Sequence, residues 1–113
     1  MATQASTIEY ILDQLSSIPN VRARKMFGEY ALYCDDKVVA LVCDDELFVK
    51  ITSAGQEFVG DLYREGTAYP GAKPSMNIDM DMIEDRNWLS ELVLITEESL
   101  PAPKAKKKRS GGD

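Results

Sequence analysis

Few side chains in this sequence are equipped for chemistry. The chain has 113 residues, two cysteines (Cys34 and Cys43) and no histidine. Without histidine there is no Ser-His-Asp or Cys-His nucleophile pairing and no His-ligated metal. The cysteines do not form a CxxC. Free cysteine behaves as a small hydrophobe, so both read as buried structural thiols, not as a disulfide. Asp79, Asp81, Glu84 and Asp85 cluster in sequence, but the glycine and terminal glutamate offsets of a Ca²⁺ loop are missing. Glu84 and Asp85 suit a helix N-terminus instead. Asp35-Asp36 and Asp44-Asp45 flank one strand at opposite ends and read as turns. GxGxxG and GxxxxGKS/T loops are absent. The expectation is a non-enzyme with no catalytic residue, cofactor or metal.

The basic side chains are more suggestive. Arg22, Arg24 and Lys25 form the densest basic stretch before the tail. On a strand, Arg22, Arg24 and Met26 share one face and Lys25 takes the other. One reading is an anion or nucleic-acid contact with Arg24 as the bidentate fork. The other is a charged edge strand that blocks sheet-to-sheet aggregation. Residues 101–113 carry Lys104, Lys106, Lys107, Lys108 and Arg109 against one acid, a charge of +4. The preceding hundred residues carry eight basic and eighteen acidic side chains, a charge of −10, which makes up the overall −6. An acidic body does not attract nucleic acid by its bulk field, whereas the tail supplies an electrostatic, aromatic-free contact. A small-ligand reading would place Arg24, Tyr33, Tyr69 and Lys73 around the loop of residues 69–74, with no motif to support it.

These residues have to be positioned by one small domain, because the length leaves no room for two. Ser6 to Glu9 has the pattern of a capping box, and Ile8, Ile11, Leu12 and Leu15 recur at helical spacing, which predicts a helix over 7–17. Residues 22–51 read as four strands joined by the two Asp-Asp turns. Ser53 and Gln56 suggest a second capping box ahead of a helix that stops near Gly66. Residues 75–80 alternate as a strand, and 86–99 follow as a helix with Trp88, Leu92, Ile95 and Ser99 on one stripe. The fold class is therefore α+β: two layers, an antiparallel sheet of about five strands with three helices, in the order α-β-β-β-β-α-β-α. Residues 1–100 form the domain and 101–113 a disordered basic tail.

Two-residue hairpins fix a register. Leu32 should face Val39 and Tyr30 face Leu41; in the next hairpin Val42 should face Leu47 and Leu41 face Phe48. One sheet face then carries Ala31, Tyr33, Val38, Ala40 and Val42, fit for helix packing. The other carries Tyr30, Leu32, Val39, Leu41 and Phe48, with both cysteines. A two-layer domain covers one face, so the surplus apolar face is the candidate interface, for a second copy or another protein, unless the last helix around Trp88 covers it.

The run from Ala23 to Thr52, ARKMFGEYALYCDDKVVALVCDDELFVKIT, resembles the N-terminal domain of the TfoX/Sxy family. Arg24, Met26, Phe27, Gly28, Tyr33 and Lys50 sit where that family's pattern wants them, as do Ala40, Leu41, Asp45 and Leu47. The later stretch from Ala68 to Val93 looks like short, single-domain members, so the resemblance spans nearly all of 7–100. It implies an antiparallel α+β fold of secretion-chaperone type, a bacterial cytoplasmic setting, and a link to control of competence genes. It supplies no catalytic residue. Full-length members carry a second, C-terminal helical domain, and the expectation here is a short, single-domain member without it. The longest apolar stretch, Val38 to Cys43, is too short to span a bilayer, and the first residues lack an export signal, so the expected location is the cytoplasm.

Overall fold

Two tight hairpins organise the chain in a computed structural model that describes residues 3–26 and 29–101. Asp35, Asp36, Asp44 and Asp45 all have positive φ, at 52°, 70°, 53° and 63°. Positive φ at both central residues is the mark of the type I′ turn, whose twist matches that of paired strands. Aspartate reaches this region more readily than most non-glycine residues. The turns join β2 (Glu29–Cys34) to β3 (Lys37–Cys43) and β3 to β4 (Glu46–Val49). β1 (Val21–Met26) pairs with β2 at one edge. β6 (Pro74–Ile78) pairs with β4, and β5 (Glu65–Thr67) pairs with the far side of β6. The result is one six-stranded antiparallel sheet, ordered β1-β2-β3-β4-β6-β5.

The α+β class is as expected, with one strand and one short helix more than the sequence suggested. β5 is three residues long, too short to show a period, and contains Gly66, which does not end a helix. A Cβ at Gly66 would stand 3.2 Å from the Phe48 ring, so glycine there leaves room for that ring. α3 (Met80–Ile83) is the added helix. α4 (Arg86–Ser99) has the expected bounds, and the Asp85 carboxylate accepts from the Trp88 N–H at 3.1 Å.

Both expected capping boxes are replaced. α1 (Ala5–Gln14) begins two residues early, and Gln4, at its N-cap, makes no side-chain capping bond. The Asp45 carboxylate, from the β3–β4 turn, accepts from the Gln4 N–H and the Thr7 hydroxyl, each at 2.9 Å. A carboxylate from a distant turn thus takes the N-cap N–H that Glu9 was expected to take in a capping box. In α2 (Ser53–Val59) the cap is Thr52, whose hydroxyl accepts from the Gly55 N–H at 3.0 Å. Gly60, at φ 60°, marks the end of that helix.

All the helices pack on one side of the sheet. Ile11, Leu15, Leu89 and Leu92 meet Leu32, Val42, Val49 and Met76 in one buried cluster. The buried side of α4 is set by Leu89, Leu92, Val93 and Thr96. Trp88 is half-buried and stacks on Phe58 of α2, ring centroids 5.5 Å apart. Polar ties lock the layer. The buried Gln14 amide donates to the carbonyls of Ile83 and Glu84 at 2.8 and 3.0 Å. Lys37 Nζ lies 3.1 Å from the Glu97 carboxylate and donates to the Glu97 carbonyl at 2.9 Å, at the C-terminal end of α4.

The β2–β3 register departs from expectation. Cys34 faces Lys37 and Tyr33 faces Val38, as a two-residue turn dictates, but beyond a bulge Leu32 faces Ala40, Ala31 faces Leu41 and Tyr30 faces Val42. Val39 is the extra residue, and one extra residue exchanges the faces of everything beyond it. The β3–β4 register is as expected, with Val42 opposite Leu47 and Leu41 opposite Phe48.

Candidate interaction surface

The bulge divides the expected apolar interface between two faces. Leu32 and Val39 are fully buried under the helices. Tyr30, opposite Val42, packs against the same core from its rim. Leu41 and Phe48 are opposite one another on the outer face. The five residues therefore do not form one patch. Ala31, Tyr33 and Val38, expected under the helices, share the outer face instead. Cys34 belongs to the helix-side core, whereas Cys43 stands on the outer side. Both thiols are free and buried, and burial pushes both above the usual thiol pKa, with Asp35 and Glu97 adding for Cys34 and Glu29 and Asp44 for Cys43. Such thiols are poor nucleophiles.

α4 does not cover the outer face. The loop after β5 does so in part. Tyr69, Pro70, Gly71 and Ala72 form a turn closed by the Ala72 N–H donating to the Tyr69 carbonyl at 3.0 Å. Gly71 has φ 87°, the third-position requirement of a type II turn with proline before it. This turn holds Tyr69 beside the sheet at 55% exposure. Two hollows meet there. The larger, about 530 Å³, has Leu41, Phe48, Tyr69 and Leu100 in its wall, with Lys50 and Lys73. The smaller, about 450 Å³, has Met26, Glu29, Leu41, Cys43 and Tyr69. They share Leu41 and Tyr69, so they form one trough across the outer face.

The basic strand is divided in the same way. Arg22 is spoken for: it pairs with Asp36 at 3.2 Å and lies over the Tyr33 ring, 4.9 Å from its centroid. Arg24 shares its side of β1, and Lys25, opposite Tyr30, takes the helix side. Arg22, Arg24 and Lys25 are therefore not one anion-binding patch. Of the small-ligand set, Tyr69 and Lys73 line the larger hollow, and Arg24 and Tyr33 do not. Of the family-motif residues, Met26 is 39% exposed and Lys50 is exposed. Phe27, Gly28 and the tail residues Lys104, Lys106, Lys107, Lys108 and Arg109 lie outside the described residues.

Glu29 closes the rim of the trough. Its carboxylate accepts from the Thr3 hydroxyl at 2.6 Å and the Asp44 N–H at 3.0 Å. These bonds, the Thr3 one foremost, hold it below the usual carboxylate pKa. Among the described residues no three His, Cys, Asp or Glu side chains gather as a metal site, and no helix is long and apolar enough to cross a membrane. The loop at 69–74 was expected, but neither its place across the outer face nor the face exchange was read from sequence. The Pro70-Gly71 pair signalled the turn, and nothing in the apolar run of β3 signalled the bulge.

These features define a small two-layer α+β domain with one sheet face under helices and the other under a single loop. The TfoX N-terminal domain family matches residues 13–99, and the chain belongs to that family. It is also 42% identical over 110 residues to an uncharacterized 12.7 kDa protein in the trpE 5′ region of Spirochaeta aurantia, covering 97% of this chain and 94% of that protein.

Proposed function

We propose that this chain is a non-enzymatic interaction module that works through the outer sheet face, on another protein or a second copy, in transcription-related regulation in the cytoplasm. One observation carries the reading: half-buried Leu41 with exposed Met26 and Tyr69 lines an open apolar trough, floored by the almost fully buried Phe48. Contiguous apolar surface of this kind marks contact sites, whereas single exposed apolar residues do not. Membership of the TfoX N-terminal family supports the regulatory setting. A photo-crosslinking amino acid placed at Tyr69 is expected to capture a protein in cells, and the same probe at Glu91, exposed on α4, is not. Equal capture from both positions, or none from Tyr69, would sink the proposal. Light scattering at micromolar concentration tells whether the captured protein is a second copy.

A further inference from the structure

The charge around the trough identifies the chemistry of what docks there. Residues 1–100 hold eight basic side chains. Arg22, Lys37, Arg64 and Arg86 are in ion pairs. Among the described residues Arg24, Lys25, Lys50 and Lys73 make no ion pair, and all four are exposed. Three of these four attend the trough. Lys50 and Lys73 line its larger hollow, and Arg24 stands beside Met26, which lines the smaller. Glu29 and Glu46 also stand on this face and keep their negative charge, but among the described residues neither pairs with a cation: Glu29 accepts from Thr3 and the Asp44 N–H, and Glu46 from the Asn77 amide at 3.1 Å. A body of net charge −10 thus collects its uncommitted positive charge around an apolar floor. The chain also leaves the described fold at this place. Leu100 lines the larger hollow, and the residues that follow in sequence include Lys104, Lys106, Lys107, Lys108 and Arg109.

Three occupants fit this surface less well. A second copy docked face to face would set Arg24, Lys50 and Lys73 against like charges across a two-fold axis. The tail is itself cationic. A nucleic acid would find one exposed ring, Tyr69, to stack on above a floor of Leu41, Cys43 and Phe48. We propose that the trough docks an acidic amphipathic segment of another protein, its apolar side chains seated over Leu41 and Phe48 and its carboxylates paired with Arg24, Lys50 and Lys73. This rests on the interaction-module reading and adds the chemistry of the partner.

The test uses the full chain and a short fluorescent peptide that interleaves Glu with Leu and Phe, read by anisotropy. Its twins replace every Glu by Gln or by Lys, and an oligothymidylate serves as the nucleic-acid probe. The acidic peptide is expected to bind at least about tenfold tighter than the Gln twin and to weaken as salt rises. Lys50→Glu with Lys73→Glu should remove that preference, and Glu91→Lys should leave it. These side chains are exposed and unpaired, so unchanged thermal melts serve as the folding control. Equal binding of the Gln twin overturns the charge assignment. Tighter binding of oligothymidylate that depends on Lys50 and Lys73 makes the face a nucleic-acid site, and overturns it too. Self-association abolished by Tyr69→Asp assigns the face to a second copy instead. If no probe binds while the crosslink from Tyr69 persists, the partner chemistry is wrong and the interaction module stands. If that crosslink is absent as well, both fail.

Discussion

The two faces of one sheet are built from similar residues and do different work. The helix side buries Leu32, Val42, Val49 and Met76 under α1, α2 and α4, and seals its margins with polar ties at Gln14 and Lys37. The outer side also carries Leu41 and Phe48, but is met there by one turn and a ring of uncommitted cations. Ala31, Cys43 and Phe48 are still almost fully buried on that side, so the sheet is well packed there without being closed. Apolar composition therefore does not separate core from contact surface. What separates them is whether the chain has anything left to lay across the face.

That contrast can be broken first by paired truncations. Leu92→Ala, in the centre of the helix-side cluster, is expected to cost about 3–5 kcal/mol in urea denaturation, while Leu41→Ala, half-buried on the outer side, should cost about 1 kcal/mol. Equal losses would make the outer face a second core and end the distinction. Gln14→Ala is next. It leaves the Ile83 and Glu84 carbonyls without their donor in the seam between α1 and the end of α3, at about 1–3 kcal/mol by the same assay. The ion pairs give a smaller contrast. Lys37→Met should cost about 1 kcal/mol, because Lys37 is largely shielded and meets a helix C-terminus, whereas Arg22→Met, in an exposed pair on the outer side, should cost less than about 0.5 kcal/mol.

The smallest expected effect is a pH dependence at the rim. The folded-state pKa of Glu29 is lowered, so its contribution is present above the unfolded carboxylate pKa and is lost as pH falls through the folded value. Thr3→Val should therefore lower the melting temperature slightly near neutral pH. The difference should close in acid, below about pH 4. A difference that persists in acid would show that Thr3 acts instead through its pH-independent bonds, accepting from the Asp45 N–H at 3.3 Å and donating to the Val42 carbonyl at 3.2 Å.

Much of this fold was legible, and the places where it was not share a cause. The bounds of α4 followed from an aspartate cap and a proline beyond Leu100, and the hairpins followed from the Asp-Asp pairs. Those signals lie within a few residues of what they determine. The α1 cap was misread because its acceptor, Asp45, lies far along the chain. The bulge was invisible because Val38 to Cys43 are all apolar, so an inserted residue breaks no visible alternation. That one shift divided the expected interface of Tyr30, Leu32, Val39, Leu41 and Phe48. The conclusion that an apolar face is in surplus survives on a different set of residues, Leu41 and Phe48 with Met26 and Tyr69.

Strand order also has a consequence in time. β2, β3 and β4 are joined by tight turns, β1 pairs with β2, and each of the four strands has its neighbour in sequence as a template. β5 pairs with β6 alone, and β6 must first travel back to β4. In the folding transition state the four sequential strands should therefore be formed ahead of the β4–β6–β5 corner, because local pairing closes short loops before long ones. Substitutions at Val42 or Val49 would then slow folding, while Met76→Ala would chiefly speed unfolding, a split that stopped-flow chevrons resolve. The corner that arrives last brings with it the Tyr69 turn, so the outer trough would be the last part of the molecule to acquire its shape.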